Sequence, residues 1–202
     1  MNRREASKQE TRQLILRAAR QLFAQKGMED CTIRDIARKA GVSPASVMVH
    51  FKSKIALLEE ALRRDIDQVM TELIASLPPD ATLLARLMHL ATGFFRLYDH
   101  NRDLYRAFLR ETLFEPDRAT PNLARQAEEY LLFLSGLLEE EKVRGNVRAE
   151  VDIAMAAGAI FSLYLGALVM LFRRPEMTVE MAAEVLVTMT DHYLMGITKT
   201  GR

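Results

Sequence analysis

A single cysteine, Cys31, in 202 residues has nothing to pair with, so no internal disulfide is available and a reducing, cytoplasmic setting is expected. No basic cluster belongs to that cysteine alone, and it reads as a small buried filler rather than a redox sensor. Residues 1–12 are polar and charged with no apolar segment, so no secretory leader is expected. The chain also lacks a Gly-rich phosphate loop, a G-x-S-x-G elbow, Cys/His metal spacing and a Glu-x-x-His pair, and its four histidines (His50, His89, His100, His192) are scattered. Those absences remove the usual nucleotide-dependent, hydrolytic and metal-dependent chemistries. The expectation is a non-enzyme with no cofactor and no metal site. There is no internal repeat, no low-complexity tract and no segment with the two-residue alternation of a strand.

Helical periodicity fills nearly the whole chain instead. With 49% apolar and 27% charged residues, the composition is that of a globular protein. The first helix is expected to open at Ser7, with Glu10 completing a capping box, and to stop before Gly27, carrying Leu14, Ile15, Ala18, Leu22 and Phe23 on its apolar face. Ser53 caps a long helix that Pro78-Pro79 stops. Asp80 is a cap for the next, and further helices are expected near 81–99, 102–114, 121–144, 151–172 and 178–197. The breaks between them are His100-Asn101, Glu115-Pro116, Gly145-Asn146 and Arg173-Arg174-Pro175. Loose ends are expected at the first six residues and at 199–202.

Charge is distributed unevenly. Residues 1–64 hold 14 Lys/Arg against 7 Asp/Glu, a net +7, while residues 65–202 hold 14 against 20, a net −6. A basic end on an acidic body is the electrostatic form of a protein that holds nucleic-acid phosphates with one end.

Within the basic end lies Cys31-Thr-Ile-Arg-Asp-Ile-Ala-Arg-Lys-Ala-Gly-Val-Ser-Pro-Ala-Ser-Val-Met-Val-His-Phe-Lys-Ser-Lys54. Thr32 caps one short helix with Asp35 as its capping-box partner, and Gly41 supplies the left-handed residue of a sharp reversal. Ser43 caps a second helix with Pro44 in its first turn. Ile36, Val42 and Val47 fall in the wedge between the two helices. This is helix-turn-helix geometry, with Pro44–His50 as the reading helix. Val47 faces inward; Pro44, Ala45, Ser46, Met48 and Val49 face out. None of these is Arg, Lys, Asn or Gln, so readout would use thymine methyls and the Ser46 hydroxyl.

Taken with Leu14–Gly27 before it and His50-Phe51-Lys52-Ser53-Lys54 after it, the segment covering roughly residues 8–58 resembles the DNA-binding domain of the tetracycline-repressor (TetR) family of bacterial one-component regulators. The resemblance implies an all-α fold of about nine helices. A three-helix helix-turn-helix DNA-binding domain would occupy residues 1–53, and a helical ligand-binding and dimerisation domain residues 54–202. It implies that Arg34 reaches DNA, at a guanine or a phosphate, and that Thr32, Ser43, His50, Lys52 and Lys54 hold phosphates. One departure stands out: the family usually places an aromatic, most often tyrosine, where this chain has Met48.

The middle helices are rich in Met and aromatic residues. They suggest an apolar effector cavity lined by Met88, Phe95, Tyr98, Tyr105, Phe108 and Tyr130, with His89, Arg110 and Glu111 as polar groups. Ile153–Phe172 has no charge over twenty residues, long enough to span a bilayer. Its Ala154, Gly158, Ser162 and Gly166 form a stripe of small residues that admits another helix closely. Because the last two helices pair subunits in the family, the resemblance favours a homodimer seam of that stripe with Ala183, Leu186, Val187 and Thr190 over a membrane span. The implied function is a ligand-responsive transcriptional repressor. It would bind a palindromic double-stranded operator as a dimer and leave it when a small apolar or aromatic effector binds. The alternative is an architectural or effector-independent DNA-binding protein.

Overall fold

Seven side-chain caps start helices in the computed structural model, each three residues from the N–H it receives; one is Asn101, which accepts from the Leu104 N–H at 3.4 Å. The Thr32 oxygen accepts from the Asp35 N–H at 3.1 Å, Ser43 from Ser46 at 3.0 Å and Ser53 from Ala56 at 3.0 Å. Thr82 accepts from Ala85 at 3.2 Å, Asp152 from Met155 at 3.0 Å and Thr178 from Met181 at 3.2 Å. Each satisfies a donor that the first helical turn leaves without a partner. The structure describes residues 3–114, 116 and 120–198. Among these the helices are α1 (Arg3–Lys26), α2 (Ile33–Ala40), α3 (Pro44–His50), α4 (Lys54–Ala75), α5 (Leu83–His100), α6 (Arg102–Thr112), α7 (Pro121–Val143), α8 (Ile153–Arg173) and α9 (Val179–Ile197). The fold is all-α. An isolated bridge joins Val147 to Thr198, and no strand occurs among the described residues.

Three sequence expectations need correction. The first helix opens at Arg3 rather than Ser7, because Arg3-Arg-Glu-Ala6 contains only good helix formers; Ser7 lies inside, and its carbonyl accepts the Thr11 hydroxyl at 2.9 Å. Leu14 is exposed, and Ala19 takes its place on the buried face. The cap before α5 is Thr82, two residues past Asp80. Glu115 of the expected Glu115-Pro116 break, and the expected loose ends at residues 1–2 and 199–202, lie outside the described residues.

The chain divides into two compact units, Met1–Asp67 with Asn101–Ala124, and Gln68–His100 with Arg125–Arg202. This division runs through α4, whereas the functional boundary expected at residues 53/54 was drawn at the start of that helix. It also assigns α6 to the N-terminal unit.

In the first unit, Ile15, Phe23, Ile36, Val47, Leu57, Leu58 and Phe108 are fully buried. Glu59 is buried with them, 3% exposed. One carboxylate oxygen accepts the Leu123 N–H at 2.8 Å; the other and Glu60 share the Asn122 amide, at 3.5 and 3.1 Å. Glu59 on α4 thus caps the start of α7. Burial pushes its pKa up and the Glu60 charge adds to this, outweighing the hydrogen bonds from Leu123 and Asn122 that favour the anion. A carboxyl with a raised folded pKa stabilises fully below the ordinary carboxyl range, and that contribution is lost as pH rises through the folded value. Glu59→Gln, which keeps an acceptor for Leu123, is therefore expected to match the native protein in acid and to exceed its stability at neutral pH. Thermal unfolding from about pH 4 to about pH 8 checks this; a variant less stable at every pH contradicts it.

In the second unit, α9 packs on both α5 and α8. Helix α8 is long and apolar enough to cross a membrane. Here it buries one side, Ala156, Ala157, Ile160, Tyr164, Ala167, Leu168, Leu171 and Phe172, and exposes Ala154, Met155, Ser162 and Val169. Burial that returns every three to four residues is the signature of a helix with a core-facing side.

Candidate functional site

Gly41 creates the turn on which the candidate nucleic-acid interface is built. Its φ of +70° is a left-handed conformation open to glycine at no steric cost. The chain reverses there: the Val42 N–H returns to the Ala37 carbonyl at 3.0 Å and the Gly41 N–H to Arg38 at 3.3 Å. Ala37 is 1% exposed, and Ile36 and Val47 are wholly buried, so α2 and α3 meet tightly at one small and two branched residues. Val42 closes the wedge half-buried.

That packing fixes what α3 presents. Pro44, Ala45, Met48 and Val49 are exposed and Ser46 is half-buried, with Val49 78% and Met48 44% exposed. Two apolar side chains in water on a seven-residue helix cost free energy unless they find a partner surface such as thymine methyls. Arg34, in the first turn of α2, is exposed and forms no ion pair among the described residues, whereas Arg38 beside it is held by Asp35 at 2.5 Å.

The expected phosphate contacts fare differently. Thr32 gives its hydroxyl proton to Asp35 at 2.8 Å and its N–H to the same carboxylate at 3.2 Å, so both its donors are spent on the capping box. Its part is to hold the start of α2, and a phosphate there would meet the uncapped first-turn N–H groups instead. Ser43 accepts from Ser46 and retains its own proton to give. Lys52 is exposed; Lys54 is half-buried and donates to the Glu29 carbonyl at 3.4 Å, leaving two ammonium protons. His50 is half-buried. Its pKa is lowered by burial and then by Lys8 and Arg12, which favours the neutral imidazole.

Sequence reasoning missed Arg12. Its guanidinium lies 4.5 Å from the centre of the buried Phe51 ring, reaches the His50 carbonyl at 3.5 Å and pairs with Glu60 at 3.4 Å. One side chain on α1 thus secures the end of the reading helix and the start of α4. A lone arginine within a charged first helix carries no mark of that role.

The expected effector residues do not form one set. Tyr105 and Phe108 are buried in the first unit, and Arg110 and Glu111 stand there at the surface, with Arg110 bonded to Glu29 at 2.6 Å and to Glu111 at 3.0 Å. The two charges satisfy each other in solvent and supply no polar group to a cavity. Met88, His89, Phe95, Tyr98 and Tyr130 belong to the second unit. Met88 and His89 are half-buried, and the His89 Nε2 is taken by the Leu73 carbonyl at 3.2 Å and the Ser76 hydroxyl at 3.1 Å.

Phe95, Tyr98 and Tyr130 meet in an aromatic core that α8 completes. Phe95 stacks on Tyr164 at 5.4 Å between centroids with the rings 8° from parallel. Tyr98 lies against Phe94 at 6.1 Å and Phe172 at 6.3 Å. Tyr130 stands edge-on to Phe94 at 5.8 Å and tilted against Phe161 at 5.7 Å and Tyr164 at 6.0 Å. The Tyr164 hydroxyl donates to that of Tyr98. Burial raises the pKa of all three phenols, so they stay neutral. Phe161 and Tyr164, three residues apart on α8, were the available signal, obscured by the small-residue stripe on the same helix. On that stripe and on α9, Gly158, Gly166 and Ala183 are half-buried, and Ala154, Ser162 and Val187 are exposed. Leu186 at 1% and Thr190 at 0% exposure turn into the second unit's own core, which removes them from the expected seam.

Residues 15–61 match the bacterial regulatory proteins of the tetR family. The chain is 31% identical over 148 residues to the HTH-type transcriptional repressor KstR2 of Rhodococcus jostii, covering 70% of each protein. Among solved structures it resembles the transcriptional regulator FadR from Bacillus subtilis in complex with stearoyl-CoA (TM-score 0.67, 21% identity, 86% of this chain and 95% of that one). It also resembles a transcriptional regulator from Saccharomonospora viridis in complex with choline (TM-score 0.69, 22% identity, 95% and 99%). With a helix-turn-helix exposed for DNA and a repressor related over more than two thirds of its length, the chain belongs to the TetR family of bacterial transcriptional regulators.

Proposed function

We propose that this regulator is a cytoplasmic, dimeric repressor that binds an inverted-repeat operator through α3 and the first turn of α2 and is released by a small apolar or aromatic effector. The observation that carries the reading is the reading helix itself, with Met48 and Val49 held out in solvent by a buried Val47, in the N-terminal part of the chain that carries the positive charge. Support for an effector comes from the aromatic core of the second unit and from relatives of the same fold that hold stearoyl-CoA or choline. Two reading heads must lie about 34–36 Å apart to enter successive major grooves. Helix α4 runs through residues of both units, so a shift of its far half on effector binding changes that spacing. An effector-independent DNA binder would keep its operator at every effector concentration.

Operator titrations over a range of salt test the interface. Affinity is expected to fall steeply with salt, and Lys54→Ala to weaken all sequences alike while lowering the salt slope by about one. Arg34→Ala is expected to cost about 1–3 kcal/mol and to relax discrimination at one symmetric pair of positions, as a lost guanine contact does. If it weakens every sequence equally, Arg34 holds a phosphate.

A further inference from the structure

Helix α1 is longer than its packing requires. Its buried side, Ile15, Ala18, Ala19, Leu22 and Phe23, belongs to its second half, and no residue from Arg3 to Leu14 is buried. Lys8 and Arg4 stand seven and eleven positions before Ile15, on the same side of the helix, and Arg12 lies between them and the core. The core-facing side of α1 thus runs on past the core as a row of cations at four-residue spacing. The two carboxylates of this stretch, Glu5 and Glu10, fall outside the row. Like charges four residues apart repel, and Arg3 and Arg4 sit at the positive end of the helix dipole, so the free chain is charged against itself here. The row leads to the reading helix: the Arg12 guanidinium reaches the His50 carbonyl at 3.5 Å and lies over the Phe51 ring. One turn further out, Lys8 is exposed and makes no ion pair or hydrogen bond among the described residues, and its charge helps to lower the His50 pKa.

We infer that this row on α1, with Lys8 as its foremost contact, is a second hold on the DNA backbone, taking phosphates beside those met by α3. This deepens, and rests on, the reading of α3 as the DNA-reading helix. The chemistry of the partner follows from the row itself. Residues four apart rise about 6 Å along a helix, and a DNA strand carries one charge per about 3.4 Å of its axis, so flexible Lys and Arg stems can match alternate phosphates. A membrane surface fits less well, because Arg3–Gln13 offers Ala6 as its one apolar side chain and nothing to insert below the headgroups. Continuity decides for DNA: Arg12 joins the row to the end of α3, so whatever covers the row lies beside the surface that α3 presents. Contacts of this kind position the protein and add affinity for any sequence; they read no base.

Anisotropy titration of the full-length protein into a fluorescein-labelled DNA duplex of mixed sequence, from about 50 to about 200 mM salt, tests this, because phosphate contacts act on any sequence. Lys8→Ala is expected to lower the slope of log affinity against log salt by about one and to weaken binding about five- to tenfold at about 0.1 M salt, the effect of one lost phosphate. Lys8→Arg is expected to keep the native slope, and Lys8→Glu to bind more weakly than Lys8→Ala. Arg17→Ala, nine positions on and so on the opposite side of α1, is expected to leave slope and affinity unchanged. With no ion pair or hydrogen bond to lose, Lys8→Ala is expected to melt no lower than the native protein. A native slope in Lys8→Ala where Lys54→Ala lowers it overturns this inference alone and leaves α3 as the reading helix. A native protein whose DNA binding ignores salt overturns both. An equal fall in slope for Arg17→Ala, or a lower melting temperature for Lys8→Ala, reduces the row to diffuse charge or to packing and also overturns the inference. So does a native DNA slope in Lys8→Ala together with loss of binding to phosphatidylserine vesicles, which assigns the row to a membrane surface.

Discussion

Val47→Asp is expected to abolish operator binding while leaving most of the helix content in place. Val47 is 0% exposed between Ile36, also 0%, and Ala37 at 1%. A carboxylate there has no cation or donor to meet, and an uncompensated buried charge costs about 3–5 kcal/mol. Small domains have only about 5–15 kcal/mol of stability in total, so the α2–α3 packing does not survive. The second unit contains none of these residues and is expected to retain its far-ultraviolet signal. Val49→Asp is the control. At 78% exposure it leaves the fold intact and weakens DNA binding through its lost apolar contact and the repulsion of phosphates. Native operator affinity in Val47→Asp, read by fluorescence anisotropy, would show that α3 is not held as described.

Gly158→Leu is expected to convert the protein to monomers and to remove operator binding with them. A Cβ at Gly158 or Gly166 meets no atom within 4 Å in its own chain, so a side chain can start there without strain. A helical Gly replaced by a good helix former also gains about 0.8–1.0 kcal/mol of propensity, so the monomer is expected to be at least as stable as before. The cost arises only where a second helix lies close against the stripe, and overpacking there runs to about 1–3 kcal/mol per site, twice over in a symmetric seam. Sedimentation of an unchanged dimer would move the interface to another face.

What could be read in the sequence was whatever is decided within a few residues. Thr32 with Asp35, Ser43 with Ser46, Asp152 and Thr178 are caps whose partner lies three positions on, and Gly41 declares a left-handed turn by itself. The DNA-reading segment is made almost wholly of such local devices. The aromatic core is not, because it depends on which helices meet. Tyr98 and Tyr130 carried a signal, but their partner Tyr164 lies on a helix whose small residues point to another use. Charged residues gave the least: Arg110 and Glu111 seemed fit to line a cavity, and the salt bridge to Glu29, 81 positions away, leaves no trace in the sequence. Thr190 could not be told from an outward residue by its type, since a lone threonine suits either face.

Glu59 bears on the order in which the molecule forms. Helices α2, α3, α8 and α9 carry their own starting caps, so each can nucleate where it stands. The Leu123 N–H finds its acceptor 64 residues earlier in the chain. Closing so long a loop is entropically costly before any contact rewards it, and contacts distant in sequence slow folding. The first turn of α7 is therefore expected to form only once the chain around α4 has assembled, and in refolding to be protected from hydrogen exchange together with the N-terminal helices rather than with the remainder of its own.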